Sequence, residues 1–253
     1  MQDTIIYEQP LSESFRHFLQ LEHYTSLINS GLENKLEQDL NMIQAFINIL
    51  VILERNSIQK EVINDIKAKV AYLKNLQKHP DIDQEMLKNS LDELSQHSDA
   101  VYNVRVKIPK ALKENELIMR LRKKMPLSGS ACQVDLPGFQ YWLNLENQHK
   151  KELVTQWLSE LTPILDAVRH LLSLTRQSAI FESNKADAGF FQTSLNQKSC
   201  QLIRLQMPKS ASLYPEISAG RHRISIRFFQ AENLAAAKQT EEDIPFNLSF
   251  CCV

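Results

Sequence analysis

The sequence predicts an α+β fold: a mainly helical domain packed with a small antiparallel β-sheet domain. Three observations lead there. Apolar residues recur at the 3.6-residue helical period through most of residues 11–178. The period drops to two in the last third, as half-buried strands require. Glycine is scarce, five among 253 residues, or about 2 % against a typical ~7 %. The expected division is a helical domain over 11–125 plus 137–178, and a β domain over 1–10, 126–136 and 179–253, built from both termini and a middle segment.

The elements follow in order. Thr4 to Glu8 reads as a strand. Leu11 to Asn29 reads as a helix ended by Gly31 at a C-terminal cap position. From Lys35 to Arg55 the stripe Leu36, Leu40, Ile43, Phe46, Ile47, Leu50 and Leu53 is widened by Met42, Ile49 and Ile52, and a helix apolar on most sides is buried. Gln59 to Gln77 follows, with Val62, Ile63, Ile66, Val70 and Leu73 on one face. Pro80 closes it, and Asp83 caps the next helix, whose stripe is Leu87, Leu91 and Leu94. A helix over Glu114 to Lys124 should stop before Pro126. Cys132, Val134 and Leu136 alternate as a short strand. The longest helix is expected from Gln148 to Arg176.

Beyond it, Ile203, Leu205 and Met207 alternate with polar neighbours. So do Ile224, Ile226 and Phe228, and Ile244, Phe246, Leu248 and Phe250. The polar segments 182–199 and 231–243 read as loops.

Several function classes are disfavoured. Phosphate-cradling loops need clustered glycines, and Gly31, Gly129, Gly138, Gly189 and Gly220 are scattered. The seven histidines show no ligand spacing, so no metal is expected. Ser130 lacks a nucleophile elbow and reads as turn material. Glu241, Glu242 and Asp243 fall in a solvated segment. The expectation is therefore a protein without enzymatic activity or cofactor. The most apolar stretch, Ala45 to Leu53, is far short of the ~20 residues of a membrane span. The opening MQDTIIYEQP has no basic region before an apolar one, so no secretion signal is expected. Cys132, Cys200, Cys251 and Cys252 show no paired spacing, which suits a reducing cytoplasm and a small apolar role for the last two.

Charge is more informative. Residues 1–100 carry 9 Lys/Arg against 16 Asp/Glu, whereas residues 101–253 carry 20 against 14. A basic second half points to an anionic partner. Residues 104–124 hold eight Lys/Arg, with Arg120, Arg122, Lys123 and Lys124 crowding a helix end; a solvated terminus explains them equally well. Sharper is the strand around 222–229. Arg223, Ser225 and Arg227 share one face opposite Ile224, Ile226 and Phe228, and Arg221 extends the row. Residues i and i+4 of a strand lie about 13 Å apart. Such a ladder suits a carboxylate-bearing peptide or successive phosphates. Exposed pairs give only ~0.2–1 kcal/mol each, and partly desolvated charge-assisted bonds ~1.5–3 kcal/mol. Nucleic acid is the rival partner, though a pI near 6.7 and an acidic first half weigh against it.

The segments YEQPLSESFRHFLQLE (7–22), Leu53-Glu54-Arg55, DLPGFQYWL (135–143), LTRQSAIF (174–181), LYPEIS (213–218) and RISIRF (223–228), with the close at Cys251-Cys252, together resemble the ZapD family of Z-ring-associated cell-division proteins. The resemblance implies a non-enzymatic cytoplasmic homodimer recruited to mid-cell. It further implies binding to the carboxy-terminal tail of the tubulin-like GTPase FtsZ and cross-linking of its filaments, with no membrane or nucleic-acid partner. Carried over by motif, Arg55, Arg223 and Arg227 are the tail-binding candidates, joined by Arg221, Arg120, Lys124 and Arg176. The chain departs from the family pattern at Gln20 and Glu116, where a basic residue is usual, and at Gln140, where a histidine is. Arg120, Lys123 and Lys124 are candidates to compensate.

Overall fold

The computed structural model describes residues 3–33, 39–54, 57–78, 83–104, 109–128, 136–195, 200–220, 222–230 and 238–252. The fold is α+β, and the chain separates into two compact units: residues 17–172, and residues 1–16 with 173–253. The short strand expected at Cys132 and Val134 lies outside the described residues.

The helical elements are α1 (Glu13–Glu33), α2 (Asp39–Glu54), α3 (Ile58–Leu76), α4 (Gln84–Asn103), α5 (Lys110–Glu114), α6 (Glu116–Ser128), α7 (Pro137–Leu143), α8 (Asn147–Ser159) and α9 (Thr162–Gln177). In α2 most of the apolar stripe is buried, with Ile43, Phe46, Ile47, Leu50 and Leu53 among its inward residues, whereas Leu40 in the first turn is exposed and Leu36 lies outside the described residues. The Asp83 carboxylate caps α4, accepting from the amides of Glu85 and Met86.

Three helix limits differ from expectation. Gly31 lies inside α1 rather than beyond its end. A side chain there would meet Met42 of α2 at 3.1 Å, so glycine serves close helix approach rather than capping. The single long helix divides into α8 and α9 at Glu160 and Leu161. Pro163 explains the break, because proline lacks an N–H and its ring clashes with the carbonyl four residues earlier. Helix α6 continues through Pro126 to Ser128; so near the end, no later turn depends on the missing donor.

The strands are β1 (Thr4–Pro10), β2 (Glu182–Ala186), β3 (Phe190–Ser194), β4 (Cys200–Pro208), β5 (Leu213–Ala219), β6 (Arg223–Gln230) and β7 (Ile244–Cys252). They form a four-stranded sheet, β1-β4-β7-β2, and a three-stranded sheet, β3-β6-β5. All pairings are antiparallel. Their inner faces share one core, in which Ile203, Leu205 and Met207 of β4 and Phe246 and Leu248 of β7 meet Ile224, Ile226 and Phe228 of β6. Phe228 and Phe246 bridge the sheets with ring centroids 5.2 Å apart.

Residues 182–199 are not the uninterrupted loop expected, since β2 and β3 lie within them. Both are short sheet edges; β2 is polar along most of its length, which leaves little alternation to read. Residues 231–237 lie outside the described residues, whereas Gln239 forms an isolated bridge with Phe229.

Candidate functional site

The centre of the three-stranded sheet carries the sharpest of the expected features. Strand alternation buries Ile224, Ile226 and Phe228 and turns Arg223, Ser225 and Arg227 outward. On β3, Ser194 pairs with Arg223, Gln192 with Ser225, and Phe190 with Arg227. On β5, Ser218 pairs with Ser225 and Glu216 with Arg227. The outer face thus carries two cations and one anion, Glu216, among small polar side chains and the Phe190 ring. Beside Arg223, an open depression of about 620 Å³ is lined by Ser218, Gly220, His222, Arg223 and Ser225.

Both guanidiniums are exposed, and neither makes an ion pair with a described carboxylate. Arg227 instead lies over the Phe190 ring, 6.0 Å from its centroid. That contact orients the guanidinium and leaves its donors open. Tyr214 stacks on Phe229 at 5.6 Å further along the same face. The face therefore offers charge-assisted hydrogen bonds along β6 and aromatic surface at one end.

The turn that delivers Phe190 is rigidly held. Gly189 has φ +69°, and a side chain there would strike the Thr240 carbonyl at 2.4 Å. The Asp243 carboxylate accepts from the Ala188 amide at 3.0 Å and pairs with Lys185 at 2.7 Å. The hydrogen bonds from Lys185 and from the Ala188 amide hold Asp243 below the usual carboxylate pKa, and Asp243 holds Lys185 above the usual lysine value.

The other candidates are placed differently. Arg176, in the last turn of α9, forks onto Glu8 of β1 at 2.8 and 2.7 Å. Arg204 of β4 shares that carboxylate at 3.0 Å and lies over Phe181. Arg176 thus has an internal carboxylate partner, as a structural role requires. On α6, Arg120 pairs with Glu116 one turn away, so the departure at Glu116 engages one of the cations expected to compensate for it. Lys123 and Lys124 are exposed on the same helix, while Arg122 pairs with Glu54 of α2. Gln20 of α1 and Gln140 of α7 are exposed. Arg55 and Arg221 lie outside the described residues.

Two features escaped sequence reading. The aromatic flank of Phe190, Tyr214 and Phe229 depends on strand order, although the consecutive Phe228-Phe229 after Arg227 was a usable signal. Cys200 and Cys252 are joined by a disulfide between β4 and β7. This corrects the reading of Cys252 as a small apolar residue, whereas Cys251 beside it is fully buried. No described helix is long and apolar enough to cross a membrane. Among the described residues, no group of three or more His, Cys, Asp or Glu could hold a metal ion.

These features define a two-unit α+β protein whose β unit exposes a paired-arginine sheet face. The chain belongs to the ZapD family of cell division proteins, whose family model matches residues 19–227. It is 31 % identical over 249 residues to the cell division protein ZapD of Azoarcus sp. (strain BH72), covering 98 % of this chain and 99 % of that one. It is 30 % identical to the ZapD of Aromatoleum aromaticum, covering 99 % and 98 %. Against the ZapD of Photorhabdus laumondii identity is 29 %, covering 98 % of each. The family assigns the chain a role in cell division, and no enzyme class is named in it.

Proposed function

We propose that the chain binds the carboxy-terminal tail of FtsZ and, as a bivalent homodimer in the cytoplasm at mid-cell, cross-links FtsZ filaments into bundles. The observation that carries this reading is the exposed Arg223/Arg227 pair, without a described carboxylate partner, on the middle strand of a sheet. A rigid strand holds the two cations about 13 Å apart. That spacing suits carboxylates on an extended peptide, and Phe190 and Phe229 add apolar contact. A few partly desolvated charge-assisted bonds at ~1.5–3 kcal/mol each reach micromolar affinity, about −8 kcal/mol.

Weak single sites suit a reversible bundler. Two-fold symmetry would present the face twice. A second engagement on a neighbouring filament is then effectively intramolecular, and avidity exceeds the single-site affinity. Such a tether performs no covalent step.

The test is low-speed co-sedimentation with FtsZ and GTP, alongside FtsZ lacking its tail. Full-length FtsZ should pellet with this protein and the truncated form should not. The Arg223→Glu, Arg227→Glu double variant should abolish pelleting. Normal bundling by that variant removes the β6 face from the mechanism. Pelleting independent of the tail removes the tail as the ligand and turns attention to other acidic partners, nucleic acid included.

A further inference from the structure

We propose that Cys200 and Cys252 form a reversible thiol–disulfide site that clamps β7 to β4 when the surrounding thiol pool turns oxidising. The two cysteines are register partners at one end of the four-stranded sheet. Their meeting depends on a bulge. From Leu202↔Cys251 to Gln206↔Asn247 the pairing is uniform, and its continuation would set Cys252 opposite Gln201. The register shifts between Cys200 and Leu202 instead. The extra residue reverses the parity of β4 at this end and brings Cys200 to the same face as Cys252.

Accessibility separates these two from their neighbour. Cys200 and Cys252 are half-buried, whereas Cys251 is fully buried. Intracellular disulfides are mostly transient and redox-sensing, and accessible ones are the labile class. The oxidant required is a low-molecular-weight disulfide. The thiolate of one cysteine attacks it, forming a mixed disulfide and releasing one small thiol. The second thiolate then attacks the mixed disulfide, forming the Cys200–Cys252 bond and releasing the other small thiol. Two electrons and two protons pass from the protein to the small disulfide. Strand β7 is internal to the sheet and carries Phe246 and Leu248 into the shared core. A covalent tie at its end therefore suppresses fraying that starts there.

The test uses the full chain poised in glutathione buffers from reducing to oxidising, read by differential alkylation and mass spectrometry. Cys200 and Cys252 should be lost together as one intramolecular two-electron couple while Cys251 stays alkylatable after unfolding. Amide exchange over β7 should slow several-fold in the oxidised protein relative to the reduced wild type, which needs no mutation. Cys200→Ser should erase the difference. The proposal is overturned by a linkage of Cys200 or Cys252 to Cys132, to Cys251 or to a second chain, by free thiols at Cys200 and Cys252 at every poise, or by equal β7 exchange in the two redox states.

Discussion

Lys150 of the helical unit is 2 % exposed and gives its ammonium to Asp39 and to the Leu143 carbonyl, both at 2.7 Å, whereas Arg223 and Arg227 of the β unit extend into solvent beside an aromatic ring and polar side chains. The same contrast recurs. In the helical unit Arg122 meets Glu54. In the β unit the half-buried Arg176 and Arg204 meet Glu8. Buried Lys150 is paired because an isolated cation costs several kcal/mol of lost hydration; Lys69, also buried, lies over the Tyr72 ring, 5.8 Å from its centroid. The exposed β6 pair has no such internal need. Cation position, rather than cation number, thus separates charges that hold the fold from charges available to a partner.

Substitutions can break or sharpen this comparison. The largest effect is expected for Lys150→Ala, which leaves Asp39 uncompensated in a site that is mostly closed to water. The loss should be ~3–5 kcal/mol, read as a fall in the urea midpoint. A near-neutral result would show that the buried pair does not hold the helices.

A smaller effect concerns a cation the helical unit refuses. Burial holds His170 below the usual imidazole pKa, and the neighbouring His97 pushes the same way, against Glu93. The folded state therefore binds fewer protons than the unfolded chain as pH falls below the usual imidazole value of about 6.5. His170's contribution is full above that value and is lost on acidification. Urea midpoints at pH values either side should show a drop that His170→Gln reduces; an unchanged drop would exonerate His170.

The smallest stability effect is expected where the functional effect is largest. Arg223→Glu with Arg227→Glu should shift stability by no more than ~0.5 kcal/mol per site, as surface changes do. Its thermal midpoint should match wild type while bundling fails. A loss above about 2 kcal/mol would mean that the pair supports the sheet, and the comparison would collapse.

How much was legible in the sequence differs by element. Helices α2, α3 and α4 were plain, because a broad apolar stripe at helical period and a capping aspartate are local signals. Strands β4, β6 and β7 were plain for the same reason at period two. Strand β2 was hidden because an edge strand with few buried positions carries no alternation. Gly31 misled because a glycine serving helix contact looks the same in sequence as a capping one. In the candidate site, alternation alone put Arg223 and Arg227 on one face. Their lack of described carboxylate partners, and the partnering of Arg176 with Glu8 from a strand 168 positions away, were not local facts.

By itself, then, the sequence determined the α+β class, the period of most elements, the outward face of β6 and the family resemblance, since each rests on residues a few positions apart. The tertiary structure decided which cations meet carboxylates, which rings flank Arg227, and that a one-residue bulge brings Cys200 to Cys252. Those outcomes depend on strand order and register, and a register shift of one residue exchanges the two faces of a strand.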